Sequence, residues 1–277
     1  MGIDKGKGIS HLFKGHRPIP LTSPMPHSES RSARSKLART LELSSRYTQE
    51  VFSYRSEIRP AFMVLAIHAL GLHTLRREGS LGMVDWDESD AFLHPLRDTL
   101  THVNRPLDPM WDFGPWAEGY FSRITTFPLT SDGFGEGIVS AEGFKQGDNF
   151  SGEGYQPRCL VVSGSLDSFP EVYIPFMGKK PIVNNFMFSD DCRLLAAELR
   201  ALETLARQCI RATINKGGTV HPAKLQYIKF RLEGGIMTQV AEKMPTMGVS
   251  TVKDTPVVVG VPIFGELVPR EYLWRMV

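Results

Sequence analysis

Two short acidic segments of the chain have the composition of a metal site. One is Asp85-Trp86-Asp87-Glu88-Ser89-Asp90 and the other is Ser189-Asp190-Asp191. Each follows an apolar run typical of a buried strand, at residues 82–84 and 186–188. Carboxylates at strand ends that meet in space supply the hard oxygen ligands that a pair of magnesium ions needs, and leave room for phosphate oxygens and water. Taken alone, Asp190-Asp191 is more typical of a turn, and the first segment is also compatible with a solvated turn or with the cap of a following helix.

Helices and strands that would position these segments alternate irregularly along the chain. Pro60 starts a helix at its first position and Gly79 ends it after Arg76 and Arg77. The clearest helical spacing runs over residues 196–214, and Gly217-Gly218 ends it. Further helices are predicted at 37–52, 91–103 and 116–123, and strands at 82–86, 171–176, 181–188 and 257–259. Because there is no regular βαβ order, the fold class predicted is α+β.

Two other stretches are glycine-rich. Ser131-Asp132-Gly133-Phe134-Gly135-Glu136-Gly137 lies between strand-like residues, which predicts a β-hairpin over 124–144. A phosphate-binding loop would need a strand before the glycines and a helix after them, and that context is absent. Residues 1–35 are rich in Gly, Pro and Ser without a sustained period, and they are predicted to be loop or disordered. Residues 106–114 are predicted to be a loop.

Composition narrows the functional classes. The chain has 277 residues, 42% hydrophobic and 22% charged, which is typical of a folded protein with a sizeable core. No apolar run reaches the roughly 18 residues of a membrane span, and no signal peptide is present, so we expect no membrane partner. Cys159, Cys192 and Cys209 have neither disulfide nor zinc spacing, which favours a reducing, intracellular compartment, nucleus or cytoplasm. No Ser-His-Asp or Cys-His set is evident.

Charge is distributed unevenly around a net value of +2. Residues 1–40 hold eight Lys or Arg and two acidic residues, a net of +6, whereas the remainder holds 24 basic and 28 acidic residues, a net of −4. A basic arm suits a polyanionic partner, although a solvated leader would have the same composition. The acidic remainder argues against nucleic-acid binding by net charge alone.

In chain order, the motifs resemble the fingers–palm region of reverse transcriptases (RNA-directed DNA polymerases), and are most like those of non-long-terminal-repeat, LINE-like retrotransposons. The resemblance covers residues 16–265. The matching segments are Arg17-Pro18-Ile19-Pro20-Leu21, Tyr54-Arg55-Ser56-Glu57-Ile58-Arg59, Asp87-Glu88-Ser89-Asp90-Ala91-Phe92, Gly143-Phe144-Lys145-Gln146-Gly147-Asp148-Asn149-Phe150-Ser151, Phe188-Ser189-Asp190-Asp191, His221-Pro222-Ala223-Lys224 and Gly260-Val261-Pro262-Ile263. The chain departs from the family pattern at Leu93, Asn149, Gly152 and Ser189.

The resemblance implies a right-hand polymerase fold in which a small antiparallel palm sheet packs on helices and the thumb is absent. The implied segments are a basic leader with a remnant of the fingers at 1–35, a helical fingers and palm segment at 36–80, the palm with its catalytic motifs at 81–265, and a truncated tail at 266–277. The chain is thus expected to be a fragment of a longer element.

The resemblance also implies RNA-templated DNA synthesis by two-metal nucleotidyl transfer. Asp87 and Asp190 would bridge two Mg²⁺ ions, with Mn²⁺ as a substitute, and Asp191 would complete the triad. Asp85 is the rival to Asp87 as the first ligand, and the Ala-aromatic spacing that follows favours Asp87. The implied partners are an RNA template, a DNA primer and deoxynucleoside triphosphates, bound by a monomer.

Other family roles fall on residues whose types suit them. Phe92 would block a ribose 2′-hydroxyl; Gln146 and Gly147 would contact nucleotide and template; Lys224 would protonate or screen the departing pyrophosphate. Arg17, with Lys14 as a weaker candidate, would contact the triphosphate. Without the family, these residues could be a core aromatic, a loop that needs glycine, a surface lysine and a solvated leader.

Two other functions stay open on the sequence. The altered motif around Ser151-Gly152 and the acidic body suit an inactive, truncated remnant of a reverse transcriptase that at most binds nucleic acid or protein. A plain α+β domain whose acidic pairs are coincidental is the third possibility, and it predicts that the aspartates do not converge.

Overall fold

The structure is a computed structural model. It describes residues 2–4, 16–18, 24–43, 51–55, 60–88, 91–92, 95–104, 113–127, 129–130, 133–139, 142–145, 148–166, 172–173, 182–183, 185–220, 225–240, 242–244, 247, 249–250, 257–258 and 261–262. The chain divides into two compact units. Unit 1 combines Met1–Arg46 with Asp90–Arg158, and unit 2 combines Tyr47–Ser89 with Cys159–Val277.

Helices and strands are interspersed along the described residues. The helices are α1 (Pro24–Leu43), α2 (Pro60–Glu78), α3 (Asp98–Asn104), α4 (Phe113–Ser122), α5 (Ser151–Gly164) and α6 (Leu199–Asn215). The strands are β1 (Gly2–Asp4), β2 (His16–Pro18), β3 (Ser80–Asp87), β4 (Thr125–Thr126), β5 (Leu129–Thr130), β6 (Gly133–Phe134), β7 (Ile138–Val139), β8 (Val172–Tyr173), β9 (Ile182–Val183), β10 (Asn185–Phe188), β11 (Asp191–Ala196), β12 (Gln226–Glu233), β13 (Ile236–Gln239), β14 (Lys243–Met244), β15 (Val249–Ser250), β16 (Val257–Val258) and β17 (Val261–Pro262).

Unit 2 is built on an antiparallel sheet in the order β10-β11-β3-β12-β13, with β3 at its centre. Side chains alternate between the faces, so Leu81 and Met83 lie on one face and Gly82 on the other. The first face packs on α2. Its buried core consists of Phe52, Met63, Val64, Ile67, Leu70, Leu75, Leu81, Met83, Phe186, Leu195, Ile228 and Phe230.

The opposite face of the sheet packs on α6. A Cβ atom at Gly82 would lie 2.7 Å from Leu202 Cδ2, so the absence of a side chain there lets the helix approach β3 closely. Two buried thiols, Cys192 on β11 and Cys209 on α6, lie 3.9 Å apart across the same interface. The sheet is therefore covered by a helix on each face.

Unit 1 has an aromatic core between α4 and residues 144–158. Its described rings are in stacked, tilted or edge-on contact, and they belong to Phe113, Trp116, Tyr120, Phe121, Phe144 and Phe150. A Cβ at Gly154 would come within 2.7 Å of Phe150 and 2.9 Å of Phe144, so α5 needs glycine there. On α1, Ser30, Ala33, Leu37 and Leu41 form a buried stripe at helical spacing.

Much of the predicted local structure is confirmed. The α+β class, α2 from Pro60 with Gly79 just beyond it at φ 72°, the central strand β3 and α6 are all present. The glycine-rich stretch is a hairpin, because β4 pairs with β7 and β5 pairs with β6. The boundaries predicted for the four segments remain predictions.

Three predictions of local structure are wrong. Residues 1–35 are not all loop: β1 pairs with β2, and α1 begins at Pro24. The helix predicted at 37–52 is α1, which ends at Leu43. The helix predicted at 91–103 is confined to Asp98–Asn104, because the carbonyls of Phe92 and Pro95 pair with the amides of Phe144 and Gly143 instead.

Several elements had no prediction, among them the β12–β13 hairpin and helix α5. The hairpin of β12 and β13 turns at Gly234 and Gly235, both with positive φ. Helix α5 contains Gly152, Gly154 and Pro157, and it is buried on nearly all sides. Such a helix has neither the propensity nor the amphipathic period that sequence reading detects.

Candidate active site

The two acidic segments meet on neighbouring strands of the unit 2 sheet. Strand β11 runs antiparallel to β3 in a register that sets Asp191 opposite Asp87 and Arg193 opposite Asp85. Directly paired residues point to the same face, with Cβ atoms roughly 4.5–5.5 Å apart. The register therefore places three carboxylates and one guanidinium together at one end of the sheet. Asp87 was predicted to meet Asp190, and its partner across the strands is Asp191.

Asp190 lies in the two-residue turn that joins β10 to β11. Phe188 and Asp191 close this turn, and Ser189 occupies a left-handed backbone conformation at φ 57°. The Ser189 hydroxyl lies 3.3 Å from the Tyr54 hydroxyl, and Cys159 Sγ contacts the Ser189 carbonyl oxygen at 3.7 Å. Two residues distant in sequence, Tyr54 and Cys159, therefore contact Ser189 in the turn that carries Asp190.

Asp85, the rival first ligand, has a cationic partner. Arg193 Nε lies 3.2 Å from Asp85 Oδ1, and both side chains are largely buried. The pKa of Asp85 is raised to about 6, chiefly by burial; the Arg193 charge opposes the shift and the Asp191 charge contributes to it. The positive charge of Arg193 partly neutralises Asp85. Asp87 is then the carboxylate that lies opposite another carboxylate, Asp191.

The register sets two acidic residues, Asp87 and Asp191, directly opposite each other. Burial raises the pKa of Asp191, Arg193 lowers it, and the charge of Asp190 raises it further. Like charges directly opposite each other on a sheet are destabilising, so a cation between them would relieve the cost. Mg²⁺ commonly uses only one or two protein carboxylates and completes its shell with water and substrate phosphate oxygens.

The donor set therefore fits a divalent cation that the protein holds in part. Among the described residues, no three side chains of His, Cys, Asp or Glu form a ready-made metal cluster.

The remaining predicted site residues belong to other parts of the chain. Phe92 is half-buried in a turn of unit 1, where its ring packs on Tyr155 at a centroid distance of 5.0 Å. Arg17 lies in β2, opposite Ile3. Gln146, Gly147, Lys224 and Lys14 lie outside the described residues.

Sequence reading missed the side chains that hold the loop on both sides of Gln146-Gly147. Arg97 is buried; its Nε donates to the Gly143 carbonyl at 2.7 Å, and its other nitrogens contact the Glu142 carbonyl and the Glu118 carboxylate. Lys145 Nζ donates to the Ile124 carbonyl at 2.6 Å and to Thr126 Oγ1 at 2.8 Å. The loop before Gln146 is thus held by two buried cations.

After Gly147, Asp148 holds the start of α5. Its Oδ1 accepts a hydrogen bond from the Phe150 amide, and its Oδ2 accepts one from the Tyr120 hydroxyl at 2.9 Å. Ser151 Oγ donates to the Lys145 carbonyl at 2.6 Å, which ties the start of α5 to Lys145. The only local signal for this arrangement is an Asp placed before a helix start.

No family model matches the sequence, and no curated protein matches it. Solved structures do match the fold. Telomerase from Candida albicans, in complex with the TWJ fragment of telomeric RNA, is 13% identical at a TM-score of 0.53, and the match covers 85% of this chain and 36% of that chain. Telomerase from Candida tropicalis truncated from its C-terminal domain is 12% identical at a TM-score of 0.52, with coverage of 81% and 45%.

A third match is telomerase from Candida tropicalis in complex with the TWJ fragment of telomeric RNA. It is 10% identical at a TM-score of 0.52, and the match covers 73% of this chain and 33% of that chain. This chain thus spans less than half the length of each of these telomerase chains. At such identities the likeness concerns the fold alone. That fold is reverse transcriptase-like: an α+β arrangement whose antiparallel sheet packs on helices and resembles part of telomerase.

Within the part of the chain that the structure describes, no helix is long and apolar enough to cross a membrane.

Proposed function

We propose that this chain carries the catalytic region of an RNA-directed DNA polymerase of the non-long-terminal-repeat retrotransposon type. The observation that carries the proposal is the register of β3 and β11, which sets Asp87 opposite Asp191 with Asp190 in the adjoining turn. This convergence also counts against a plain domain with coincidental acidic pairs. The reverse transcriptase-like fold adds the architectural context.

In this proposal the acidic residues of unit 2 are the metal ligands. Asp87 and Asp190 would hold Mg²⁺, or Mn²⁺ in its place, and Asp191 would complete the set of ligands. When bound, the ions lower the pKa of the primer 3′-hydroxyl and neutralise the charge of the pyrophosphate. Asp85 stays paired with Arg193 and is not a ligand. Lys224 protonates or screens the leaving pyrophosphate.

The substrate-binding residues in this proposal are those that the resemblance implies. Phe92 rejects a ribose 2′-hydroxyl, Gln146 and Gly147 contact the nucleotide and the template, and Arg17 contacts the triphosphate. The hydrogen bonds made by the flanking residues Gly143 and Lys145 support such a role, because a contact residue must be held in place to contribute to orientation. The partners are an RNA template, a DNA primer and deoxynucleoside triphosphates, inside the cell, with the protein a monomer.

A second candidate is an inactive, reverse transcriptase-derived chain that binds nucleic acid or protein. The observation that favours it is the Asp85–Arg193 pair, which brings a guanidinium to the same end of the sheet as the candidate metal ligands. A resident positive charge there would weaken the attraction for a metal ion.

Primer extension on an RNA template separates the two candidates. We expect nucleotide addition with Mg²⁺ or Mn²⁺, at least about 10²-fold slower in Asp87→Asn because metal-assisted chemistry depends on that carboxylate. Glu233→Gln is the matched control: the same type of change on the same sheet, at the exposed end of β12. Addition that survives Asp87→Asn would exclude the assigned site.

Mn²⁺ binding, measured by the decrease of the free-ion electron paramagnetic resonance signal, gives a readout independent of activity. Binding that is abolished in Asp87→Asn and retained in Glu233→Gln supports the metal site. RNA binding by a chain that neither binds Mn²⁺ nor extends a primer would favour the inactive candidate.

A further inference from the structure

Phe92 has a buried aromatic partner that no motif identifies. Its ring packs on Tyr155 of α5 with centroids 5.0 Å apart and planes tilted by 36°. Tyr155 is completely buried, whereas Phe92 keeps part of its surface exposed. One side of the Phe92 ring is therefore supported by protein, and the ring retains an exposed part with which to contact a ligand.

Tyr155 is itself held by Arg158. The Arg158 guanidinium donates a hydrogen bond to the Tyr155 hydroxyl and lies over the same ring, 5.2 Å from its centroid. Arg158 is 1% exposed, among the most buried large side chains described. A hydrogen bond and a cation–π contact in a buried setting restrict the rotamers of Tyr155. The surface against which Phe92 rests is therefore rigid.

The backbone of Phe92 is fixed as well. Its carbonyl oxygen accepts a hydrogen bond from the Phe144 amide, and the preceding Gly143 donates to the Pro95 carbonyl. Arg97 holds the Gly143 carbonyl. These bonds tie the turn at Phe92 to the segment that leads into Gln146, so both the main chain and the ring of Phe92 are positioned by other elements of unit 1.

We propose that Tyr155 is a positioning residue for sugar discrimination: it holds the Phe92 ring where it overlaps a ribose 2′-hydroxyl. This inference rests on the proposed function. Steric rejection depends on a ring that cannot move aside, since a freely rotating phenyl group would yield to a hydroxyl at little cost. Arg158 acts one step further out, through Tyr155.

The test uses two substitutions at one position. Tyr155→Leu removes the ring that supports Phe92, whereas Tyr155→Phe keeps the ring and removes the hydroxyl that accepts the hydrogen bond from Arg158. Phe52→Leu is the control, because it removes another ring from a buried stacked pair, with Phe186 in unit 2. The midpoint of thermal unfolding confirms that each variant is folded.

The first readout is the mobility of the Phe92 ring, from ¹³C relaxation of ring-labelled phenylalanine, with the signal assigned through Phe92→Leu. We expect Tyr155→Leu to mobilise the ring and Tyr155→Phe to leave it largely ordered. An unchanged Phe92 signal in Tyr155→Leu would overturn the positioning role, whatever the chain catalyses.

The second readout is the preference for deoxynucleotides over ribonucleotides, measured as the ratio of their rates of addition and as the ratio of their binding affinities. Tyr155→Leu should lower that ratio by about 10-fold, the lower end of what steric fit in a pocket contributes, while Phe52→Leu leaves it unchanged. A ring that is mobilised without any change in the ratio would overturn the specificity role. If the unmodified chain binds no nucleotide, the proposed function and the discrimination role both fail, and the ring measurement still reports whether Tyr155 orders Phe92.

Discussion

Ser189 combines a strained backbone with a position next to the candidate metal ligand. Its φ of 57° in a two-residue turn is a conformation that glycine adopts without steric cost and that costs other residues about 1 kcal/mol or more. Ser189→Gly should therefore raise the free energy of unfolding by about 1 kcal/mol. The exposed contact with the Tyr54 hydroxyl, 3.3 Å long, offsets only a little of that gain.

Ser189→Ala separates the two effects, because it removes the same hydroxyl and keeps a Cβ in the left-handed region. Thermal unfolding should rank the proteins as glycine variant, unmodified chain, alanine variant, from most to least stable. A glycine variant no more stable than the alanine variant would mean that the turn stores no strain.

Lys145 should make stability depend on pH. Burial and, to a smaller extent, the charge of Arg97 lower its pKa to about 8, and the charge of Asp148 opposes the shift. In the unfolded chain the pKa of a lysine is about 10.4. Between these values the unfolded state binds a proton that the folded state has released, so the free energy of unfolding rises with pH across this window. Below about pH 8 the folded state bears the full cost of the buried charge.

Lys145→Met removes this titrating group and keeps the others. Any pH dependence of stability that the variant retains therefore comes from those other groups and serves as the control. The unfolding midpoint of the unmodified chain should rise, relative to that of the variant, as the pH is raised through the window between the two pKa values. If the unfolding midpoints of the two proteins changed equally with pH over that range, the pKa of Lys145 would not differ between the folded and unfolded states there.

At the scale of elements, two glycines of α4 differ in what surrounds them. A Cβ at Gly114 would overlap Thr101 Oγ1 and lie 3.1 Å from Thr101 Cβ on α3, whereas nothing lies within 4 Å of a Cβ at Gly119. Gly114→Ala should lower the free energy of unfolding by about 1–3 kcal/mol because the two helices must separate. Gly119→Ala should raise it by up to about 1 kcal/mol through helix propensity.

Chemical denaturation of the two variants tests this directly, since the substitutions are identical in type and share one helix. If Gly114→Ala proved as stable as Gly119→Ala, the close contact of α3 with α4 would not contribute to the fold.

At the scale of the whole molecule, part of the basic segment 1–40 belongs to helix α1. Helix α1 buries its apolar stripe and exposes a groove of about 550 Å³ lined by Ser32, Ser35, Lys36, Arg39, Thr40 and Leu43. Two cations among hydroxyls suit phosphate oxygens. The double variant Lys36→Glu, Arg39→Glu should weaken single-stranded RNA binding. It should also make the slope of log affinity against log salt shallower by about 0.7 for each phosphate that is no longer neutralised.

Arg76→Glu, Arg77→Glu on α2 is the matched control, because it changes the net charge by the same amount at another exposed place. Gel-shift titrations at several salt concentrations compare the two. Equal decreases in affinity would show that net charge alone governs binding.

What could be predicted from the sequence was local. Pro60 and Gly79 delimit α2, helical spacing marks α6, and an apolar run marks β3, because each signal depends on residues within a few positions of one another. The two acidic segments were recognisable as candidates for the same reason. Ser30 and Ala33 show the limit: their small side chains are buried on α1, yet they add no apolar period.

The pairing of the candidate site was decided by tertiary structure. Whether Asp87 faces Asp190 or Asp191, and whether Asp85 meets Arg193, depends on the hydrogen-bonded register of β3 and β11, and a shift of one residue would turn every side chain to the other face. Tyr155 beneath Phe92 and Arg97 beside Gly143 are likewise brought together by packing across long stretches of sequence. No local pattern encodes such contacts, because their free energy comes from groups that only the folded chain brings together.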